Sequence, residues 1–119
     1  MKSVRQLPIL FLLFLIGCEK NVEEEHKDET IDCSVIETYY TENIAPILTT
    51  SCTNCHSGSS PQGGLDLSTY TTVKASLPTI LDRVNREEGT PGFMPLGGSK
   101  LSNASLDTLY SFSQMECDE

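Results

Sequence analysis

The distribution of apolar and polar positions divides the chain into three stretches. Residues 7–16 (Leu-Pro-Ile-Leu-Phe-Leu-Leu-Phe-Leu-Ile) are apolar throughout, while in residues 19–31 the only apolar side chains are Val22 and Ile31. From residue 32 onward apolar residues recur at helical intervals, interrupted by breaks rich in Gly, Pro and Ser. No internal repeat and no nucleotide or phosphate fingerprint is present. The pattern predicts one all-α domain over residues 32–119, built from about four short helices.

The first helix is predicted to start near Asn43, a good cap, with Pro46 in the first turn, where a missing N–H does little harm. Ile44, Leu48, Cys52 and Cys55 then follow at helical spacing and share one face. Residues 52–56 end this helix, residues 57–61 (Ser-Gly-Ser-Ser-Pro) break it, and residues 62–67 read as a loop. Ser68 is placed to cap a short helix that turns Tyr70, Val73 and Leu77 inward. Pro78 opens the next helix, on which Leu77, Ile80, Leu81 and Val84 form the inner stripe. Arg83 and Arg86 lie off that stripe, on a face read as solvated. Residues 87–100 are rich in Pro and Gly and are expected to be irregular. Ser102 begins the final helix, with Leu101 and Leu106 placed for a hydrophobic staple. Leu106, Leu109, Tyr110 and Cys117 fall near one face of it, which Ser113 interrupts.

The two N-terminal stretches have a different meaning. The apolar run is about half the length of a membrane span and follows the basic residues Lys2 and Arg5. It reads as the core of a signal peptide. It closes on Leu15-Ile16-Gly17-Cys18, which resembles a bacterial lipobox, in which cleavage leaves the cysteine first and its thiol carries a diacylglycerol. Residues 1–17 are therefore expected to be a leader and Cys18 a lipidation site, with several acyl chains giving stable anchoring. Residues 18–31 carry too little apolar surface to offset their ordering entropy and read as an acidic flexible tether. His26 reads as a solvated side chain within it. An acidic run after a lipidated cysteine also resembles the surface-export signals of some bacterial lipoproteins. The chain is thus expected to be an exported bacterial lipoprotein, anchored on the periplasmic or cell-surface side of a membrane.

The candidate chemistry is concentrated in Cys52-Thr53-Asn54-Cys55-His56. Cys-x-x-Cys-His is the attachment pattern for c-type haem. Both thiols must lie along one edge of a flat ring to add across its two vinyl groups, and the following imidazole then reaches the iron from one side. A zinc site would need two further ligands, and no second close Cys or His pair exists in the sequence. A redox disulfide would normally open a helix in a βαβ context, which is not visible here. The Pro-flanked Phe93-Met94-Pro95 supplies a soft, neutral thioether suited to the opposite side of the iron. Met1 lies in the leader and Met115 on the last helix, which leaves Met94 as the candidate. For Arg83 or Arg86, a reach to a haem propionate is the alternative to the solvated face.

Of five cysteines, one is assigned to lipid and two to haem. Cys33 and Cys117 remain, one at each end of the domain, and an even pair in an exported protein reads as a disulfide. It would close a loop of about 84 residues and contribute about 4 kcal/mol. The sequence has no Trp, so a buried haem would supply apolar surface that the small domain lacks.

From Tyr39 to Phe112 the chain resembles small monohaem cytochromes c of the class I-like bacterial type. The matching pieces are Ile44-Ala45-Pro46-Ile47-Leu48, the Cys52–His56 motif, Gly63-Gly64-Leu65-Asp66-Leu67, Met94-Pro95 and Leu101-Ser102. The resemblance implies a cytochrome c-like fold around one covalent haem c, with His56 and Met94 as axial ligands. It also implies that the first and last helices cross, bringing Cys33 near Cys117. In that family haem is attached outside the cytoplasm, in agreement with the leader. Such domains often carry a tryptophan in the last helix, a role left here to Tyr110 or Phe112.

The implied function is one-electron transfer rather than catalysis, since two protein axial ligands leave no open position on the iron. Alternatives are a haem-based sensor or small-ligand binder, or an accessory module of a larger membrane oxidoreductase complex. A di-haem peroxidase needs a second Cys-x-x-Cys-His, which the sequence lacks. The formal charge of −9 becomes −11 once Lys2 and Arg5 leave with the leader. That balance argues against binding nucleic acid, or an anionic membrane surface by charge, and points to redox protein partners with basic docking patches. Membrane attachment is expected through the lipid alone.

Overall fold

The computed structural model describes residues 32–117. The expected leader, the lipidation site Cys18 and the acidic tether with His26 lie outside the described residues. Among the described residues every regular element is helical and no strand occurs.

The first element is longer than its sequence suggests. Helix α1 (Cys33–Tyr39) starts under Asp32, whose Oδ1 accepts the Ser34 N–H at 3.0 Å. That hydrogen bond, made chiefly by the Ser34 backbone, holds the Asp32 carboxyl below its ordinary range. The helix then widens into a π turn (Tyr40–Ile44) and continues as α2 (Ala45–Ser51). The widening has a local cause. Pro46 cannot donate to the Glu42 carbonyl and its ring crowds that oxygen. The preceding turn opens, and the Ala45 N–H reaches five residues back to the Tyr40 carbonyl. Asn43, expected to cap a helix, sits inside the rod and donates its side-chain amide to the Tyr39 carbonyl at 3.1 Å. The rod therefore begins at Cys33 rather than near Asn43. Ile36, Tyr40, Ile44 and Leu48 form its buried stripe.

Helix α3 (Tyr70–Asn85) replaces the two short helices expected on either side of Pro78. Thr69, not Ser68, is its cap, accepting the Thr72 N–H at 3.3 Å. The Ser68 N–H instead donates to Asp66 Oδ1 at 2.9 Å in a turn before the helix. Pro78 lies on the exposed face, where it costs about 3 kcal/mol. Val73, Leu77, Ile80 and Val84 are buried on the opposite face, at about 1.5–3 kcal/mol each. Four such side chains outweigh one proline, so the helix runs through. Leu81, expected on the inner stripe, is only half-buried.

Helix α4 (Asn103–Ser113) starts at Ser102 as expected, the Ser102 hydroxyl accepting the Ser105 N–H at 3.1 Å. Leu101 and Leu106 both pack against the core. The helix lies on α3 and on the π turn of the rod. Its buried aromatic is Phe112, at 0% exposure, whereas Tyr110 is 61% exposed and faces away from the core. The Phe112 ring sits among Tyr39, Tyr40 and Tyr70, with centroids at 6.2, 5.9 and 6.2 Å. Lys74 of α3 closes the end of α4 by donating to the carbonyls of Phe112 and Met115. Its ammonium also stands 4.9 Å from the centre of the Phe112 ring. The helix stops at Ser113, so Cys117 lies beyond it rather than on its face. A disulfide joins Cys117 to Cys33, with their Cα atoms 5.1 Å apart. The described residues thus form three helical rods, not four, with the ends of the domain tied together.

Candidate functional site

The rod ends at Ser51, where the motif begins, so Cys52 and Cys55 do not continue its helical face as their spacing predicts. Cys52 closes α2, its N–H still donating to the Leu48 carbonyl at 2.8 Å. The chain then tightens: the Cys55 and His56 N–H groups both donate to the Cys52 carbonyl, at 3.1 and 2.9 Å. The Ser57 hydroxyl adds a bond to the Thr53 carbonyl at 2.6 Å. These bonds set the motif as one compact turn at the end of α2.

The following segment is pinned onto that turn. The Gln62 N–H donates to the Cys55 carbonyl at 2.9 Å, and the Leu67 N–H to the His56 carbonyl at 2.7 Å. Between them the chain reverses through Gly63 and Gly64, whose φ values of 66° and 69° are left-handed and suit glycine. The reversal presents the Leu65 carbonyl to His56, 3.2 Å from Nδ1. A carbonyl oxygen can only accept, so Nδ1 carries a proton, which in the neutral ring leaves the lone pair on Nε2. The imidazole is thereby held in the tautomer and orientation of a metal-ligating histidine.

The remaining wall comes from residues 87–100, irregular as expected. The Met94 N–H donates to the Arg83 carbonyl at 3.2 Å, and the neighbouring Phe93 is buried. Arg86 Nη1 donates to the Pro91 carbonyl at 2.7 Å and Arg83 Nη1 to the Gly92 carbonyl at 3.5 Å. At the far end of the loop the Lys100 N–H donates to Glu88 Oε1 at 2.6 Å. The two arginines read as solvated from sequence thus hold the loop to the end of α3. Their contribution depends on where that loop returns, which helical periodicity does not encode.

These pieces enclose a cleft of about 510 Å³ lined by Cys52, Cys55, His56 and Met94. Leu65, Leu67, Ile80 and Val84 give it apolar walls, and Leu96, 80% exposed, stands at its edge. Cys52 and Cys55 are both free thiols. Burial pushes the Cys52 thiol up from its ordinary pKa, opposite to the depressed thiolate of a disulfide oxidoreductase. No group of three or more His, Cys, Asp or Glu side chains that could hold a metal ion occurs among the described residues. A smaller cavity of about 240 Å³, lined by Tyr40, Thr53, Ser57 and neighbours, includes none of Cys52, Cys55, His56 and Met94.

Comparison with known proteins adds no relative: a scan of protein-family models, a search of curated proteins and a search of solved structures each return no match. The case for function rests on the residues of the cleft.

Proposed function

We propose that this protein is a c-type cytochrome, a one-electron carrier whose described residues form a cytochrome c-like domain around one covalent haem. The observation that carries the proposal is the convergence of two thiols, an oriented imidazole and a thioether on one apolar cleft. The cleft volume of about 510 Å³ lies within the range of cofactor sites. The donors also suit the group, with two free thiols for the vinyl additions, and nitrogen and thioether sulfur for the iron.

In this reading Cys52 and Cys55 would hold the haem by thioether bonds, and His56 Nε2 and Met94 Sδ would ligate its iron. When bound, the haem supplies the one-electron couple that no side chain here offers. The chain's own residues hold, orient and shield. The Leu65 carbonyl keeps the His56 ring from rotating. Leu65, Leu67, Ile80 and Val84 keep water from the centre of the cleft. Met94 favours a higher potential than a second nitrogen ligand would.

The reading extends to the ends of the chain as argued from sequence: a leader, lipid on Cys18 and an acidic tether holding the domain at a membrane surface. The acidic balance favours brief, salt-sensitive encounters with redox proteins that present basic patches.

The test is a visible and near-infrared spectrum of the full chain made in a bacterium that attaches haem c. A low-spin spectrum, haem retained in denaturant and a ferric Met-to-iron charge-transfer band are expected, with Met94→Ala removing the band. A high-spin iron with an open position would move the function to ligand binding or sensing. Absence of covalent haem would overturn the proposal.

A further inference from the structure

We infer that Arg83 is a positioning residue that latches the Met94 loop shut, so that it sets how readily the thioether leaves the cleft. The inference rests on the ligand role proposed for Met94 and adds a residue to it.

Arg83 holds the loop by two separate parts of itself. Its backbone carbonyl accepts the Met94 N–H at 3.2 Å. Its guanidinium donates to the Gly92 carbonyl at 3.5 Å. The two bonds bracket Phe93, which is buried between them in sequence. One residue on a rigid helix thus grips the loop on both sides of its apolar anchor. Arg83 also lines the cleft, and among the described residues it is the only Lys, Arg, Asp or Glu to do so. Its side chain and that of Met94 thus border the same cleft.

The loop is shaped to receive this grip. Gly92 has φ +79°, and a Cβ built there would stand 1.9 Å from Arg83 Nη1 and 2.6 Å from Arg86 Nη1. Glycine is required both by the backbone conformation and by the space the two guanidiniums occupy. Arg86 takes the preceding carbonyl, of Pro91, at 2.7 Å and is itself held by Asp82 Oδ2 at 2.7 Å. Two guanidiniums on successive carbonyls form the latch, with Arg83 the member nearer Met94. The contact between Arg83 and Asp82, 3.5 Å between partly exposed groups, adds little.

Two readouts test this on the haem-loaded full chain. The first is hydrogen exchange of the Met94 amide by NMR, with Leu109 in α4 as an internal reference. The second is the association constant of imidazole, which competes with the thioether for ferric iron. Arg83→Gln keeps the backbone bond and removes the guanidinium. It is expected to speed Met94 exchange and tighten imidazole binding by about tenfold each, with Leu109 exchange unchanged. Arg83→Lys, which keeps one cationic donor, is expected to stay within about threefold of the parent. Gly92→Ala is expected to reproduce the Arg83→Gln effect by displacing the guanidiniums. Unchanged Met94 exchange in Arg83→Gln overturns the latch, as does equal acceleration at Leu109, which would mean general loosening. A parent protein that lacks the Met-to-iron band fails the ligand proposal instead, while faster Met94 exchange in the variant would still establish the grip on the loop.

Discussion

Phe112→Ala offers a stringent check of how the last helix is seated. The Phe112 side chain has 0% exposure and its ring contacts three tyrosines and the Lys74 ammonium. Truncating a fully buried Phe costs about 3–5 kcal/mol, the loss of transfer energy plus a cavity the neighbours cannot fill. A domain of this size has about 5–13 kcal/mol of stability in total, so the variant loses a large share and still has a measurable transition. For an m-value near 2 kcal/mol/M, a loss of about 4 kcal/mol lowers the urea midpoint by about 2 M. Tyr110→Ala is the matched control. That side chain is 61% exposed, and its removal is expected to cost less than about 0.5 kcal/mol. The assay is urea unfolding followed by far-UV circular dichroism, with the disulfide intact. Haem held as proposed, through thioethers, would stay on the chain in the unfolded state, so both variants would be compared on equal terms. If Tyr110→Ala costs as much as Phe112→Ala, the helix is seated on the wrong face and the packing argument fails.

Three further outcomes follow from other parts of the molecule. Replacing both Cys33 and Cys117 by Ala opens a loop with a sequence separation of 84 and is expected to cost about 4 kcal/mol through the unfolded chain; equal urea midpoints for parent and variant would refute this. The Asp32 carboxyl is held below its ordinary value of 3.8 by the Ser34 hydrogen bonds, so its contribution is full above that value and fades as pH falls through the lowered one. The midpoint difference between parent and Asp32→Ala should therefore shrink on acidification from roughly pH 5 to 2, and a constant difference would show that the cap does not titrate with folding. Cys52→Ala combined with Cys55→Ala should leave no haem on the chain after denaturation, read from the pyridine haemochrome spectrum of the denatured protein.

The parts of this architecture that were legible in the sequence are those determined by local chemistry. Ser102 acts as a cap because a hydroxyl before a helix can accept an N–H whatever lies elsewhere. Cys52, Cys55 and His56 lie close together because they are near neighbours in the chain, although the helix expected to carry the two cysteines stops at Ser51. Pro78 misled because local reasoning weighs a proline by its missing bond, whereas here the long stripe from Val73 to Val84 decides the outcome. Asn43 misled for a similar reason: the stripe extends back through Tyr40 to Ile36, and the conflict at Pro46 is absorbed by a π turn. The Leu65 carbonyl that orients His56, and the grip of Arg83 and Arg86 on residues 91–92, arise from backbone groups brought together by loop closure. Side-chain periodicity carries no signal for a carbonyl. The Gly63-Gly64 pair was the one available pointer, marking where the backbone turns back on the motif.

The bond between Cys33 and Cys117 also has a mechanical consequence. With those two Cα atoms 5.1 Å apart and covalently joined, tension applied between the segments entering and leaving the domain passes through one sulfur–sulfur bond. The helices between them carry none of it. Pulling on such a domain from its two ends does not peel α4 from the rod or draw Met94 away from His56. A load-bearing linkage could run through this point while the cleft stays mechanically silent, and only force applied at an internal loop would reach the candidate site.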